Sequence, residues 1–323
     1  MCQADADPVP QHGLLSSRRD RQNANFARFG ASPFNLMNAP MQQPQELVLI
    51  TGCGSGIGQA LARAFHRSGQ RVCATARRLD TLAPLAAEGM LVRALDVTDA
   101  QGTADLLASL KAEGFGVGTL VNNAGYGAMG PMLDVPQSEW QRQFEVNLFA
   151  PIALVRAVMP GMVERGRGLV VNISSVSGVL TTPFAGPYCA SKAAFNAATD
   201  ALRMEAEPLG IRVVTVQPGG IQSAFGSSAA NQVSLAPDSP YQAVRDGVLA
   251  RANESQSDAM PADTFASLLV AQLARPDCPP VVRLGKKSRL MPFLKQWMPV
   301  RTLDGILRKR FQLDRLKPRS NAR

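Results

Sequence analysis

Short runs of aliphatic and β-branched residues alternate along this chain with longer stretches in which apolar positions recur with the period of an α-helix. The short runs are Glu46–Thr51, Arg71–Ala76, Met90–Leu95, Gly118–Asn122, Gly168–Ser174, Ile211–Gln217 and Pro280–Leu284. Between them lie the Ala- and Leu-rich segments Gln59–Arg67, Ala100–Glu113, Ser138–Arg165, Ser191–Pro208 and Ala262–Ala274. Parallel strands need a crossover helix between them, so this alternation predicts an α/β fold with a doubly wound parallel sheet of about seven strands. No linker interrupts residues 46–285, which read as one domain. Residues 1–45 mix Gln, Asn, Pro, Ser and Arg without periodicity and are expected to be a disordered extension. Met37 and Met41 stand just before the first regular element, so the extension is expected to be dispensable or to reflect a misplaced start codon. Residues 286–323 read as a basic, amphipathic helical extension.

Composition supports a packed core: 46% of the 323 residues are apolar and 18% charged. The longest helical apolar candidate, Phe265–Ala274, falls well short of the eighteen or so residues that a membrane span requires. The N-terminal segment lacks the apolar core of a secretory signal, and Asp5, Asp7 and Asp20 argue against a transit peptide. Cys2, Cys53, Cys73, Cys189 and Cys278 are odd in number and show no CxxC spacing; with only His12 and His66 beside them no metal-ligand set can be drawn. A metal-free site in a reduced, cytoplasmic location is the expectation. The net charge of +9 is a property of the C-terminal end. Thirteen Lys/Arg and two Asp/Glu fall within Val281–Arg323, which leaves the rest slightly acidic and gives no reason to expect a nucleic-acid partner.

Candidate chemistry begins directly after the first strand, at Thr51-Gly52-Cys53-Gly54-Ser55-Gly56-Ile57-Gly58. Glycines at a strand-to-helix corner allow a tight turn and let the backbone approach a pyrophosphate, which then meets the N–H groups of the following helix. That context marks a Rossmann-type dinucleotide site. Nineteen residues beyond Gly58, where an NAD site carries an acid for the ribose hydroxyls, the chain has Arg77-Arg78 and no carboxylate before Asp80. This points to NADP(H) over NAD(H), because guanidinium suits a phosphate; the alternative is that both arginines are merely solvated.

The ligand of such a sheet lies outside the carboxyl ends of its strands. Those ends carry Asp96-Val97, Asn122-Asn123-Ala124-Gly125, Ser174-Ser175 and Pro218-Gly219 followed by Ile221 and Ser223. Farther on, Tyr188 and Lys192 stand four apart, on one helical face. An unperturbed phenol, with a pKa of about 10, is a poor base near neutrality, and a neighbouring cation would make it a useful one. The spacing Thr-Gly-x3-Gly-x-Gly, the Asn-Asn-Ala-Gly turn and the Tyr-x3-Lys pair, in this order, resemble the short-chain dehydrogenase/reductase family. The resemblance covers about Glu46 to Ser223.

It implies a catalytic tetrad of Asn147, Ser175, Tyr188 and Lys192. Ser175 lies thirteen residues before Tyr188, which fits the family better than Ser174. It also implies cofactor contacts from Thr51, Gly52, Ser55, Gly56, Ile57, Gly58, Arg77, Arg78, Asp96, Val97, Asn122, Asn123, Ala124, Gly125, Pro218, Gly219, Ile221 and Ser223, together with Tyr188 and Lys192. In that scheme Ser175 binds the carbonyl oxygen, Tyr188 transfers the proton, Lys192 lowers the Tyr188 pKa, and Asn147 positions a water that links Lys192 to solvent. Homodimerisation through the helix bearing Tyr188 and its predecessor is a further family expectation.

The stretches 127–131, 179–184 and 224–258 are expected to cover the substrate. The first two are mostly apolar and suggest a lipophilic alcohol or ketone of steroid, retinoid or acyl type. The C-terminal extension is similar to that of the hydroxysteroid and retinol dehydrogenase-like branch. Its Leu303, Ile306, Leu307 and Phe311 form an apolar stripe that either closes the cleft or supports peripheral contact with anionic lipid. A 3-oxoacyl reductase-like enzyme and a non-catalytic NADP(H)-sensing protein are the competing readings.

Overall fold

The computed structural model describes residues 44–223, 233–254 and 259–316. The extension expected over 1–45, except for its last two residues, lies outside the described residues, as do 224–232 and 255–258 of the expected substrate cover and the basic end 317–323.

Seven strands form one parallel sheet: β1 Gln45–Ile50, β2 Val72–Ala76, β3 Leu91–Ala94, β4 Phe115–Asn122, β5 Gly168–Ile173, β6 Ile211–Val216 and β7 Val281–Val282. Their spatial order is β3-β2-β1-β4-β5-β6-β7. The ten helices are α1 Gly56–Arg67, α2 Ala83–Ala87, α3 Ala100–Ala112, α4 Gln137–Phe144, α5 Ala150–Arg165, α6 Gly186–Ala206, α7 Arg245–Asn253, α8 Ala262–Leu273, α9 Leu290–Trp297 and α10 Val300–Arg310, counted among the described residues. Helix α6 starts five residues before the sequence-based boundary, with Pro187 in its first turn, where a missing N–H costs nothing. Helix α7 supplies regular structure within the stretch read as substrate cover.

Strand β1 shows why the sheet is covered on both faces. Its Leu47 and Leu49 join Leu106 and Leu110 of α3 and Leu154, Val158 and Met162 of α5. Val48 and Ile50 join Leu61 and Phe65 of α1 and Phe265 and Leu269 of α8 on the opposite face. Each such side chain, fully buried, contributes roughly 1.5–3 kcal/mol relative to exposure. Because successive residues feed opposite layers, the strand reads as a continuous apolar run.

The segment read as one helix over Ser138–Arg165 is α4, a turn of π-helix at Glu145–Phe149, and α5. Ala150 N donates to the Glu145 carbonyl, five residues back, and Pro151 has no N–H to offer Asn147. Taken together, Gln137–Arg165 is long and apolar enough to cross a bilayer, with a mean hydropathy of 1.6 over eighteen residues, although polar residues interrupt its apolar runs. Its apolar face is spent on the sheet, through Leu154, Val155, Val158 and Met162.

The chain leaves β1 toward β2 and β3, then returns to place β4 on the other side of β1. The carboxyl ends of β1 and β4 therefore flank the switch point at which a ligand crevice opens.

Candidate active site

A cleft of about 950 Å3 opens at that switch point. Gly52, Gly54, Ser55, Gly56, Ile57 and Gly58 line one end. Gly52 and Gly56 adopt φ of +73° and +57°, and a Cβ on Gly52 would stand 2.8 Å from Ala124 Cα, so the backbones of the β1 and β4 loops touch directly. Ser55 caps α1 in extended conformation without a side-chain capping bond, and the first turn of the helix holds no acid. The amides at the start of α1 thus face the cleft with no side-chain acceptor, which fits a bound pyrophosphate.

Arg77 and Arg78, both exposed, line the same end of the cleft beyond β2. The Arg78 guanidinium is paired with Asp80, so this carboxylate takes up one of the two cations. Asp96, just beyond the end of β3, holds the Thr98 backbone N–H at 3.0 Å and its hydroxyl at 2.7 Å. The Asp96 carboxyl is held below its usual range, mainly by the Thr98 backbone bond. Val97, Asn123, Ala124, Gly125, Pro218, Gly219, Ile221 and Ser223 also line the cleft.

Two of the residues implied as cofactor contacts lie beneath the cleft. Thr51 is buried beneath the loop, where its hydroxyl accepts from Asn123 N at 3.1 Å and Ala124 N at 3.0 Å. Asn122 is likewise buried and donates to Asn172 Oδ1 at 2.9 Å. Asn172 donates to Thr199 Oγ1 at 3.0 Å, and Thr199 to the Phe195 carbonyl at 2.7 Å. Neither Thr51 nor Asn122 lines the cleft. They form a buried polar ladder through β1, β4, β5 and α6 that fixes the relative heights of the strand ends.

The four implied catalytic residues converge. Tyr188 and Lys192 lie in the first two turns of α6, Ser175 at the end of β5, and Asn147 in the π turn. The Ser175 and Tyr188 hydroxyls share a hydrogen bond, and Ser175 Oγ also accepts from Ser177 N at 3.0 Å. Ser174 instead turns its hydroxyl to the Lys192 carbonyl, at 3.3 Å, so Ser175 is the one that faces Tyr188. Lys192 Nζ donates to the Ile173 carbonyl at 2.9 Å. A Cβ on Gly125 would stand 3.0 Å from Asn147 Oδ1 and 3.6 Å from Lys192 Nζ, so glycine is what lets these two groups close over one point.

Tyr188 is buried in protein, and this sets its electrostatics. Burial raises the phenol above its ordinary range, and the Ser175 bond and the Arg251 charge oppose that rise. The same burial lowers Lys192 to about 8. Asn147, too, is occupied by protein. Its Oδ1 accepts from Tyr126 N at 3.2 Å, and its Nδ2 donates to the Tyr126 carbonyl at 3.0 Å and to Ser191 Oγ at 3.2 Å.

Several contributors carry no sequence motif. Gln143, fully buried one turn before Asn147, accepts from Ala128 N at 2.7 Å and donates to the Tyr126 carbonyl at 2.8 Å, and so clamps the loop after β4. Helix α7 brings Arg251 and Ala252 to the cleft, and the segment after β7 brings Lys286, Lys287 and Met291. Of the expected stripe on α10, Leu303 and Phe311 are buried and Leu307 packs beside them, whereas Ile306 is half exposed. Cys53, Cys73 and Cys189 are buried free thiols, and no cluster of metal-ligating side chains occurs among the described residues.

A family model described as short chain dehydrogenase matches residues 46–234. The short-chain dehydrogenase ptmH of Penicillium ochrochloron is 37% identical over 230 residues, covering 70% of this chain and 83% of that protein. A short-chain dehydrogenase of Streptomyces avermitilis superposes with a TM-score of 0.68 at 29% identity, covering 84% of this chain and 98% of the other. A serine dehydrogenase complexed with NADP+ superposes with a TM-score of 0.66 at 26% identity, over 75% and 96% of the two chains. Sequence match, fold and cleft agree, and the chain belongs to the short-chain dehydrogenase/reductase family of oxidoreductases.

Proposed function

We propose that the protein is an NADP(H)-dependent alcohol dehydrogenase or carbonyl reductase acting on a lipophilic substrate. The observation that carries this reading is the hydrogen bond between the Ser175 and Tyr188 hydroxyls, at the inner end of a cleft whose outer end is the uncapped start of α1. A nicotinamide held there supplies hydride to a carbonyl carbon. Ser175, its oxygen already accepting from Ser177 N, donates a hydrogen bond to the carbonyl oxygen and stabilises charge developing on it. Tyr188 delivers the proton, and because burial holds the phenol protonated, the residue is set as an acid for the reducing direction. Lys192, which lines the cleft, holds the ribose side of the site, and the reverse path oxidises an alcohol.

Arg77 supports the choice of NADP(H): it is exposed at the end of β2, where the phosphate of that cofactor would sit, with no acid immediately before it. Met129, Leu180 and Met291 in the cleft support a lipophilic substrate of the hydroxysteroid, retinoid or acyl-ketone kind. Peripheral contact with anionic membrane completes the reading. Leu290, Phe293 and Trp297 lie along one face of α9 and are 49%, 58% and 69% exposed, with Arg289, Lys295 and Arg301 around them. Exposed Phe149 and Met204, on the helix Gln137–Arg165 and on α6, are in keeping with the homodimer implied by the family, and the free buried thiols with a cytoplasmic location.

The test is NADPH and NADH oxidation over a panel of hydrophobic ketones with wild-type protein and Tyr188→Phe. The expected result is NADPH-dependent turnover that falls by roughly 100-fold or more in the variant while cofactor still binds. Undiminished turnover by Tyr188→Phe would remove the proposal.

A further inference from the structure

At the Tyr188 end of the cleft stands a buried cation that the proposed chemistry does not use. Arg251, on α7, has a side chain only 7% exposed and lines the cleft. Its Nε donates to Thr182 Oγ1, and the same nitrogen lies 4.0 Å from Glu254 Oε2. Its Nη nitrogens make no hydrogen bond among the described residues. Glu254 is already engaged, with Arg310 Nη2 at 2.7 Å and Lys287 Nζ at 3.9 Å. One carboxylate therefore faces three cations, and the local charge is positive. A buried guanidinium is costly unless an anion or several acceptors meet it, and the planar fork of arginine matches a carboxylate in two-point fashion.

The cleft that Arg251 lines also carries the apolar side chains Met129, Leu180 and Met291. Thr182 accepts from Arg251, which leaves its own hydroxyl proton to donate into the cleft. We infer that Arg251 and Thr182 form a carboxylate-binding subsite, and that the substrate is an oxo or hydroxy acid: an apolar chain bearing the reacting carbonyl or alcohol and ending in a carboxylate. The substrate class rests on the proposed carbonyl–alcohol chemistry at Tyr188; the subsite itself does not. The Nη groups hold the carboxylate oxygens, Thr182 donates to one of them, and the chain between acid and carbonyl lies against the methionines.

Binding and turnover separate the two ideas. Decanoate and decan-1-ol are titrated calorimetrically into protein with and without NADP+, using wild type, Arg251→Met and Arg251→Lys. Wild type is expected to prefer decanoate, and the preference is expected to fall by about 10- to 100-fold in Arg251→Met, the range for a hydrogen bond to a charged group, with partial recovery in Arg251→Lys. The ratio is the readout because a purely structural role would weaken both ligands alike. Glu254 keeps Arg310 and Lys287 in either variant, so no buried carboxylate is orphaned. In parallel, NADPH oxidation is followed with 5-oxodecanoate and its methyl ester. No preference for decanoate in wild type, or one that Arg251→Met leaves intact, overturns the subsite. An Arg251-dependent preference without turnover of any ketone upholds the subsite and sinks the proposed activity instead.

Discussion

Lys192 carries its ammonium in a site where burial outweighs what its partners return. Its only hydrogen bond among the described residues is to the Ile173 carbonyl, and its pKa is lowered from 10.5 to about 8. A drop of that size corresponds to about 3 kcal/mol of differential stability. The unfolded chain binds a proton at this lysine up to about pH 10.5, whereas the folded chain releases it near 8. The unfolded state therefore holds more protons between these values, and the lysine's contribution to stability rises with pH across that window. The buried thiols act in the opposite sense. Cys73 is pushed up to about 12 and Cys53 higher still, so folded protein retains their protons and loses stability above about pH 9. Comparison with Lys192→Met cancels the cysteines. The absolute difference at pH 7 is uninformative, because the variant gains from removing a buried charge and loses a charged hydrogen bond worth roughly 1.5–3 kcal/mol. The pH dependence is decisive. In urea unfolding of the ligand-free proteins, wild-type stability should rise relative to Lys192→Met by about 3 kcal/mol between about pH 8 and 10.5. A difference that stays flat across the window would refute the reasoning and show that Lys192 keeps its charge on folding.

Gly58→Ala should abolish cofactor binding while the protein stays folded. A Cβ there would press into the Gly52 carbonyl and stand 2.5 Å from Asn123 Nδ2, which itself donates to the Thr51 carbonyl at 2.8 Å, so the loop must open; NADPH fluorescence titration and a thermal melt check the two halves of the claim. For the α9 face, wild type should sediment with vesicles of phosphatidylserine and phosphatidylcholine at low salt and be released by about 0.5 M salt, where the screening length falls to a few ångströms. Phe293→Ser combined with Trp297→Ser should remain in the supernatant, and equal sedimentation of both proteins would dispose of the membrane reading.

The strands and the order of their polar ends were legible in the amino-acid pattern, because each buried strand is an apolar run that stops abruptly where the chain meets the cleft. What the pattern could not resolve was which of two adjacent polar residues faces the ligand. Asn122 and Asn123 are neighbours on a strand end and so point to opposite sides; one enters the buried ladder and the other ties the glycine loop. Family spacing broke the same tie for Ser174 and Ser175, and the hydrogen bonds agree with that choice. On α10 the apolar set is Leu303, Leu307 and Phe311, at intervals of four, and Ile306 lies one residue off that line and faces outward. Arg251 and Thr182 are sixty-nine residues apart and belong to no motif, so only tertiary packing brings them together.

The π turn at Glu145–Phe149 acts as a phase adjuster. Each α-helical residue advances the side-chain direction by about 100°, so one extra residue in a turn rotates everything downstream by that angle relative to what lies upstream. In this chain the upstream half, α4, aims Gln143 at the loop after β4, while the downstream half, α5, must aim Leu154, Val158 and Met162 at the sheet. A regular helix could satisfy only one of these orientations. Asn147 sits at the point of adjustment, so the geometry of the site and the packing of the core have separate settings on one continuous rod, and sequence drift in α5 need not move the side chains that hold the cleft.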